Sequence, residues 1–266
     1  MERSAKLKKI SVVIPMYNAE NTIARALYSV INQTYEGPFE IIVVNDGSKD
    51  SSEEVVNQFI NENPGIEIKL IKQKNGGVSK ARNTGLKSVS GEYIALLDSD
   101  DEWLNNKIEL QYPYLYNNVC DFVTCLRNND KISFPYKLTD NTFAHVTLKK
   151  LLIKVVGQTS TALFKSAILE QVGYFDENQK YSEDANYWMK VAKVSKMIIL
   201  NEKLVITGGG KPSVGFSGLS ANILEMERGV QKNIDEMYSL NYINIYEFIL
   251  FKTFSSIKYL VRKIKY

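Results

Sequence analysis

The chain has 266 residues, 44% of them hydrophobic and 24% charged, enough to bury one substantial core, and its net charge of +3 is too small to mark a nucleic-acid binder. Two cysteines, Cys120 and Cys125, and a single histidine, His145, do not make up a four-ligand zinc site, which suits a reduced, cytoplasmic protein. The opening MERSAKLKKI lacks the apolar centre of a signal peptide, and no apolar run reaches the ~18 residues of a membrane span, so neither export nor spanning is expected.

Over residues 10–97 short β-rich runs alternate with helical patterns, as in a parallel sheet with crossover helices. Strands are predicted at Ile10–Ile14, Phe39–Val44, Ile66–Ile71 and Tyr93–Leu97. Between them, Ile23, Ala26, Leu27, Val30 and Ile31 repeat at helical spacing, and Ser51 with Glu54 reads as a capping box ahead of Val55, Val56, Phe59 and Ile60. The following segment is less regular: a strand at Thr161–Phe164, a helix at Ala185–Lys193 and a strand at Met197–Leu200 suggest an α+β continuation of the same sheet. Gly208, Gly209, Gly210, Lys211 and Pro212 form the most loop-like stretch, after which the pattern is helical.

In open parallel sheets ligands bind beyond the carboxyl ends of the strands. These positions are polar here: Pro15, Tyr17 and Asn18; Asn45, Asp46, Gly47 and Ser48; Asn75, Gly76 and Gly77; Asp98, Ser99, Asp100 and Asp101. Neither a GxGxxG loop nor a GxxxxGK[ST] loop occurs, which argues against an NAD enzyme and a P-loop nucleotidase. Asp98 and Asp100 share one side if the chain stays extended, and such hard oxygen ligands suit Mg²⁺ or Mn²⁺ where a diphosphate adds further oxygens; the alternative is an acidic turn that caps the next helix. Asp46 is either part of an Asp-Gly turn or an acceptor for a nucleotide's base or ribose. Gly76 and Gly77 are a turn, or the approach to a helix whose Lys80 and Arg82 face an anionic diphosphate. Lys211 either closes over that diphosphate or is a solvated loop lysine. Trp103 and Trp188 fit a core or a sugar-stacking wall, and His145 reads best as a histidine with no catalytic role.

Together these segments resemble the family 2 glycosyltransferases. SVVIPMYNAENTI is similar to that family's opening strand and helix, VVNDGSKDSS to its nucleoside-binding segment, NGGVSKARNTGL to its glycine-and-arginine segment, YIALLDSDDEW to its DxD strand, and YSEDANYWMK to the later element carrying its catalytic base. The resemblance implies an α/β GT-A fold, a Rossmann-like and mostly parallel sheet flanked by helices, with an α+β acceptor region and C-terminal helices. Residues 1–101 would bind the nucleotide sugar, 102–210 would carry the acceptor site and base, and 211–266 would form a loop and helical tail. Pro15, Tyr17, Asn18, Gly76, Gly77, Ser99 and Lys211 would line the donor site, Asp46 would contact uridine, Asp98 would lie near the ribose and metal, and Asp100 would hold Mn²⁺ or Mg²⁺. Arg82 would lie near the diphosphate or sugar, Asp184 would be the base and Glu183 would support it. The QxxRW element of processive members is missing around Trp188, so one sugar per acceptor is expected.

The implied reaction moves a hexose from a UDP-sugar to a hydroxyl of a polyprenyl-diphosphate-linked saccharide, on the inner face of a bacterial membrane, with inversion from one base and in-line attack. A sugar nucleotidyltransferase and a nucleotide-sugar-binding protein without turnover are the competing classes. Finally, Tyr246, Leu250, Phe254, Ile257, Val261 and Ile264 recur at helical spacing, with Lys252, Lys258, Arg262, Lys263 and Lys265 largely between them. Such a stripe either packs on its own domain or a partner, or holds the enzyme at an anionic membrane.

Overall fold

Hydrophobic alternation and helical spacing produce the predicted βαβαβαβ order. A computed structural model describes residues 7–210 and 222–265, in which β1 (Ile10–Met16), α1 (Ile23–Ile31), β2 (Phe39–Asn45), α2 (Ser52–Glu62), β3 (Glu67–Lys72), α3 (Val78–Leu86) and β4 (Tyr93–Leu96) follow in turn. The capping box at Ser51 does not form. Ser51 occupies the N-cap position without a side-chain bond, and Asp50 instead accepts from the Ser52 N–H at 3.1 Å.

Beyond β4 come β5 (Glu102–Trp103), α4 (Lys107–Tyr116), β6 (Phe122–Arg127), β7 (Leu138–Thr139), β8 (Phe143–Val146), α5 (Leu148–Ile153), β9 (Leu163–Lys165), α6 (Ile168–Val172), α7 (Glu183–Val194), β10 (Met197–Ile206), α8 (Ile223–Ser239) and α9 (Ile245–Lys265). The strand expected from Thr161 starts two residues later, because Thr159–Thr161 form a 3₁₀ turn.

The strands join one sheet in the order β3-β2-β1-β4-β9-β6-β10-β8-β7, with β5 beside β10. β1 runs parallel to β2 and β4, with Ile10 opposite both Phe39 and Tyr93. β9 is antiparallel to β4 and β6, while β6 and β10 are parallel. Side-chain alternation gives each face its own core. Val12, Ile14, Ile41 and Val43 pack against Leu27 and Val30 of α1, Phe59 of α2 and Ile108 of α4. On the other face Val13, Ile94, Phe122 and Phe164 meet Leu151 of α5, Trp188 of α7, Ile234 of α8 and Phe251 of α9. Among the described residues no helix is long and apolar enough to cross a membrane.

Candidate functional site

A cleft of ≈ 1030 Å³ lies at the carboxyl ends of β1, β2, β4 and β6 and is closed on its far side by residues 177–184 and the start of α8. It gathers Pro15, Tyr17, Asp46, Gly76, Gly77, Arg82, Asp98, Ser99, Asp100, Glu183 and Asp184 from their distant places in the sequence. Asn18 is not part of its lining: the backbone there is left-handed (φ 49°), the N–H donates to Ser48 Oγ at 3.0 Å, and Oδ1 accepts from the Lys49 N–H at 2.8 Å. Asn18 therefore ties two strand-end loops together. Lys211 lies outside the described residues. His145 is exposed on β8 and does not line the cleft.

At the end of β2, Asp46 shapes the approach to α3. Its Oδ1 accepts from Gln73 Nε2 at 2.6 Å and the Gly76 N–H at 2.9 Å, and its Oδ2 accepts from the Gly77 N–H at 2.8 Å. Gly77 sits at φ 88°, a conformation that a side chain would strain, so the carboxylate and the glycine together fix the start of the helix that carries Arg82.

The acidic segment after β4 is a turn and not an extended strand: the Asp101 N–H donates to the Asp98 carbonyl at 3.0 Å. The carboxylates of Asp98 and Asp100 consequently differ in surroundings. Asp98 Oδ1 accepts from Arg82 at 2.9 Å, and its Oδ2 accepts from Thr159 Oγ1 at 2.7 Å and Gln158 Nε2 at 2.9 Å. The Asp100 carboxylate accepts from no other side chain among the described residues, while its carbonyl accepts from Arg25 at 2.9 Å; burial and the Asp98 charge push its pKa above the usual range, against Arg25. Asp101 is buried, accepting from Ser160 Oγ at 2.6 Å, Gln158 Nε2 at 3.0 Å and the Gly208 N–H at 3.1 Å. Burial first, then the Asp98 charge, raise it to about 7.

Arg82 spans the cleft floor. Only 3% exposed, it donates to Asp98 at 2.9 Å and to Glu183 at 3.0 Å, and its Nε finds no partner. Burial opposes its charge, but the two carboxylates outweigh burial and keep the guanidinium protonated. Glu183 and Asp184 open α7, just after Ser182, which is held in a left-handed conformation (φ 56°). Three donors fix the Ser182 carbonyl: the Asn186 N–H at 3.1 Å, Gln179 Nε2 at 3.2 Å and Asn233 Nδ2 of α8 at 3.0 Å. Burial raises both Glu183 and Asp184; the Asp184 charge adds to the shift at Glu183, and Arg82 and Arg127 oppose the shift at Asp184.

The sequence reading passed over Gln158, Thr159 and Ser160, which serve Asp98 and Asp101. A search of strand carboxyl ends does not reach them, because they precede β9, whose antiparallel course brings its beginning to the end of β4. The polar run QTST just before an apolar strand is the available signal. Trp103 and Trp188 are buried, donating to the carbonyls of Ser160 and Gly157, both at 2.7 Å; both belong to the core and neither lines the cleft.

The donor set fits a divalent cation held by few protein ligands. Among the described residues no group of three or more His, Cys, Asp or Glu side chains converges. Asp100 nevertheless offers an uncommitted carboxylate in a cleft whose acidic charge Arg82 only partly balances. A Mg²⁺- or Mn²⁺-diphosphate, which brings its own oxygens and waters, matches such a site.

The architecture is that of the GT-A glycosyltransferases. Staphylococcus aureus TarS 1–349 in complex with UDP-GlcNAc superposes with a TM-score of 0.66 at 24% identity, over 86% of this chain and 66% of that one. The mannosyltransferase PcManGT of Pyrobaculum calidifontis, in complex with GDP-Man and Mn²⁺, gives 0.69 at 19% identity, over 87% and 64%. Residues 11–181 match the model of Glycosyl transferase family 2, and the chain belongs to that family. An uncharacterized glycosyltransferase of Rickettsia typhi is 33% identical over 77% of this chain and 65% of its own length. The Escherichia coli UDP-Glc:alpha-D-GlcNAc-diphosphoundecaprenol beta-1,3-glucosyltransferase WfgD is 32% identical over 72% and 73%. Other relatives are longer, and the chain spans only 32% of a glycosyltransferase of Rickettsia bellii.

Proposed function

We propose that the protein is an inverting, metal-dependent, non-processive glycosyltransferase that moves a hexose from a UDP-sugar to a hydroxyl of a lipid-linked saccharide in bacterial surface-polysaccharide synthesis. The observation that carries this reading is the Arg82 bridge, which joins the donor-side Asp98 to the helix bearing Asp184 within one cleft. The UDP-GlcNAc complex of TarS and the lipid-linked acceptor in WfgD's name support the substrate classes.

Asp46, with Gly76 and Gly77, frames the nucleoside pocket, and Pro15, Tyr17 and Ser99 line the donor wall. Asp100 would hold Mg²⁺ or Mn²⁺, which when bound neutralises the departing diphosphate. Asp98, fixed by Arg82, Thr159 and Gln158, positions the ribose side. Asp184 takes the proton of the acceptor hydroxyl as its oxygen bonds to the anomeric carbon and the bond to UDP breaks. Its raised pKa improves it as a base, and Glu183, paired to Arg82, steadies the helix start. In this division residues 1–101 serve the donor and 102–210 the acceptor, and the acceptor's lipid keeps the enzyme at the inner membrane face.

The test is Asp184→Asn, assayed for release of UDP with and without a saccharide acceptor. Turnover should fall at least ~10²-fold with donor affinity kept, and the wild-type product should be inverted. Release of pyrophosphate, or a retained anomer, would overturn the reading.

A further inference from the structure

Asp184 is held in place by the backbone that carries it. Its Oδ1 accepts from the Ala185 N–H at 2.7 Å, and no other side chain bonds its carboxylate among the described residues, so whatever fixes the first turn of α7 fixes this carboxylate. That turn starts from Ser182, whose left-handed backbone is one that a residue with a side chain keeps only under restraint from its surroundings.

The restraint comes from α8, which lies beyond residue 181, where the family match ends. Asn233 is 0% exposed. Its Oδ1 accepts from Gln179 Nε2 at 2.7 Å and from Asn186 Nδ2 at 3.2 Å, which leaves Nδ2 as the end that faces the Ser182 carbonyl, 3.0 Å away. Gln179 Nε2 also reaches the Tyr181 carbonyl at 3.0 Å, and Asn186 Nδ2 donates to Glu236 at 2.6 Å, itself paired with Lys190 of α7 at 2.7 Å. Met226, Gly229, Asn233 and Glu236 are three or four residues apart, so a single face of α8 makes these contacts. Gly229 permits the approach: a Cβ there would stand 2.4 Å from the Tyr181 carbonyl oxygen, and Ser182 Oγ donates to the Met226 carbonyl at 3.4 Å. Gln179, Ser182, Asn186 and Asn233 are all buried, and among their buried side-chain atoms only Gln179 Oε1 lacks a partner. Such a network has few alternative arrangements.

We propose that Asn233 is a positioning residue for the reaction: by holding the Ser182 carbonyl it sets the direction in which α7 presents Asp184 to the acceptor hydroxyl. Asn233 does not line the cleft and acts only through its neighbours. Its role rests on Asp184 being the base.

Asn233→Asp keeps the size of the side chain and the oxygen that serves Gln179 and Asn186, but replaces the donor to Ser182 with an acceptor. Met237→Ala, one turn further along α8, removes buried packing without a bond to the network and controls for lost stability. Both are assayed for UDP release with a saccharide acceptor across donor concentrations, at a temperature where circular dichroism shows them folded. Asn233→Asp should lower kcat about ten-fold or more with donor KM within about two-fold, since a misplacement of about 1 Å can cost ~10²-fold. Met237→Ala should keep the wild-type kcat. In the Asp184→Asn background Asn233→Asp should cause no further loss, because the group it positions is gone. Wild-type kcat in Asn233→Asp, an equal loss in Met237→Ala, or losses that multiply in the double variant would each overturn the proposal and leave Asp184 as the base. Full turnover in Asp184→Asn would instead overturn the base assignment, and the proposal with it. Should Asn233→Asp not fold, Asn233→Ser, whose hydroxyl falls short of the Ser182 carbonyl, is judged by the same outcomes.

Discussion

Replacing Lys107 with methionine removes a cation from an unusual place. Lys107 begins α4, is 0% exposed, and points its ammonium at the face of Trp103, 4.1 Å from the ring centroid, with no hydrogen-bond partner at Nζ. Burial drives its pKa down from 10.5 to about 8. The fold thus favours the neutral amine, so Lys107 contributes most to stability above pH 10.5, and the contribution is lost as pH falls toward 8. That drop of two to three pKa units corresponds to about 3 kcal/mol, of which the Trp103 ring, by favouring the cation, returns on the order of 1 kcal/mol. Urea unfolding of wild type and Lys107→Met, at intervals from pH 7 to 10, isolates the effect because all other titrations cancel in the difference. Methionine fills nearly the same volume, so the variant should be more stable by about 2 kcal/mol at pH 7, and the gap should close toward pH 10. A difference independent of pH would show that Lys107 is charged in both states or in neither, and would refute the reasoning.

Asp100→Asn should raise the Mn²⁺ or Mg²⁺ concentration needed for half-maximal UDP release by at least ~10-fold while leaving the melting temperature unchanged; metal titration of both proteins decides. Arg82→Lys cannot reach Asp98 and Glu183 together and should cost roughly 3 kcal/mol in chemical denaturation, as for a buried pair left partly uncompensated. The acid limb of the kcat profile should lie above the usual aspartate range, because burial raises Asp184, and the rate should fall as pH drops through that limb; a limb near pH 4 would remove Asp184 as the base. A methyl group at Gly229 would run into the Tyr181 carbonyl, so Gly229→Ala should push α8 off the cleft wall and destabilise by about 1–3 kcal/mol in urea titration.

The β1–β4 half was legible because its strands are apolar or alternating runs ended by polar clusters, and each helix lies between consecutive strands. Ligand chemistry at strand ends then drew attention to Asp46, Asp98 and Asp100, and the family resemblance to Asp184; all four meet in the cleft. What residue order hides is partnership. Arg82 as the guanidinium between Asp98 and Glu183 depends on a contact across about 100 residues of chain, and nothing in a local pattern announces it. The same applies to α9. Its apolar positions share one helical face in the sequence, but only the packing of Phe248 and Phe251 against α5 and α8 decides that this face points outward. Asn18 went astray for a smaller reason: a polar residue at a strand end serves equally well as a loop tie, and here the Lys49 amide takes it.

The placement of β9 has a consequence for how the chain is made. β6, with the sequence FVTCLR, emerges long before either of its sheet neighbours, since β9 and β10 both follow it. β1, β2 and β3 pair with one another as they are made, whereas β6 waits with two open edges until residues 163–206 are synthesised. During that interval an apolar strand bearing Cys125 is exposed to other nascent chains. A ribosome pausing between Arg127 and Leu163 would prolong the interval, so this stretch is where slow codons or truncation should convert soluble product into aggregate.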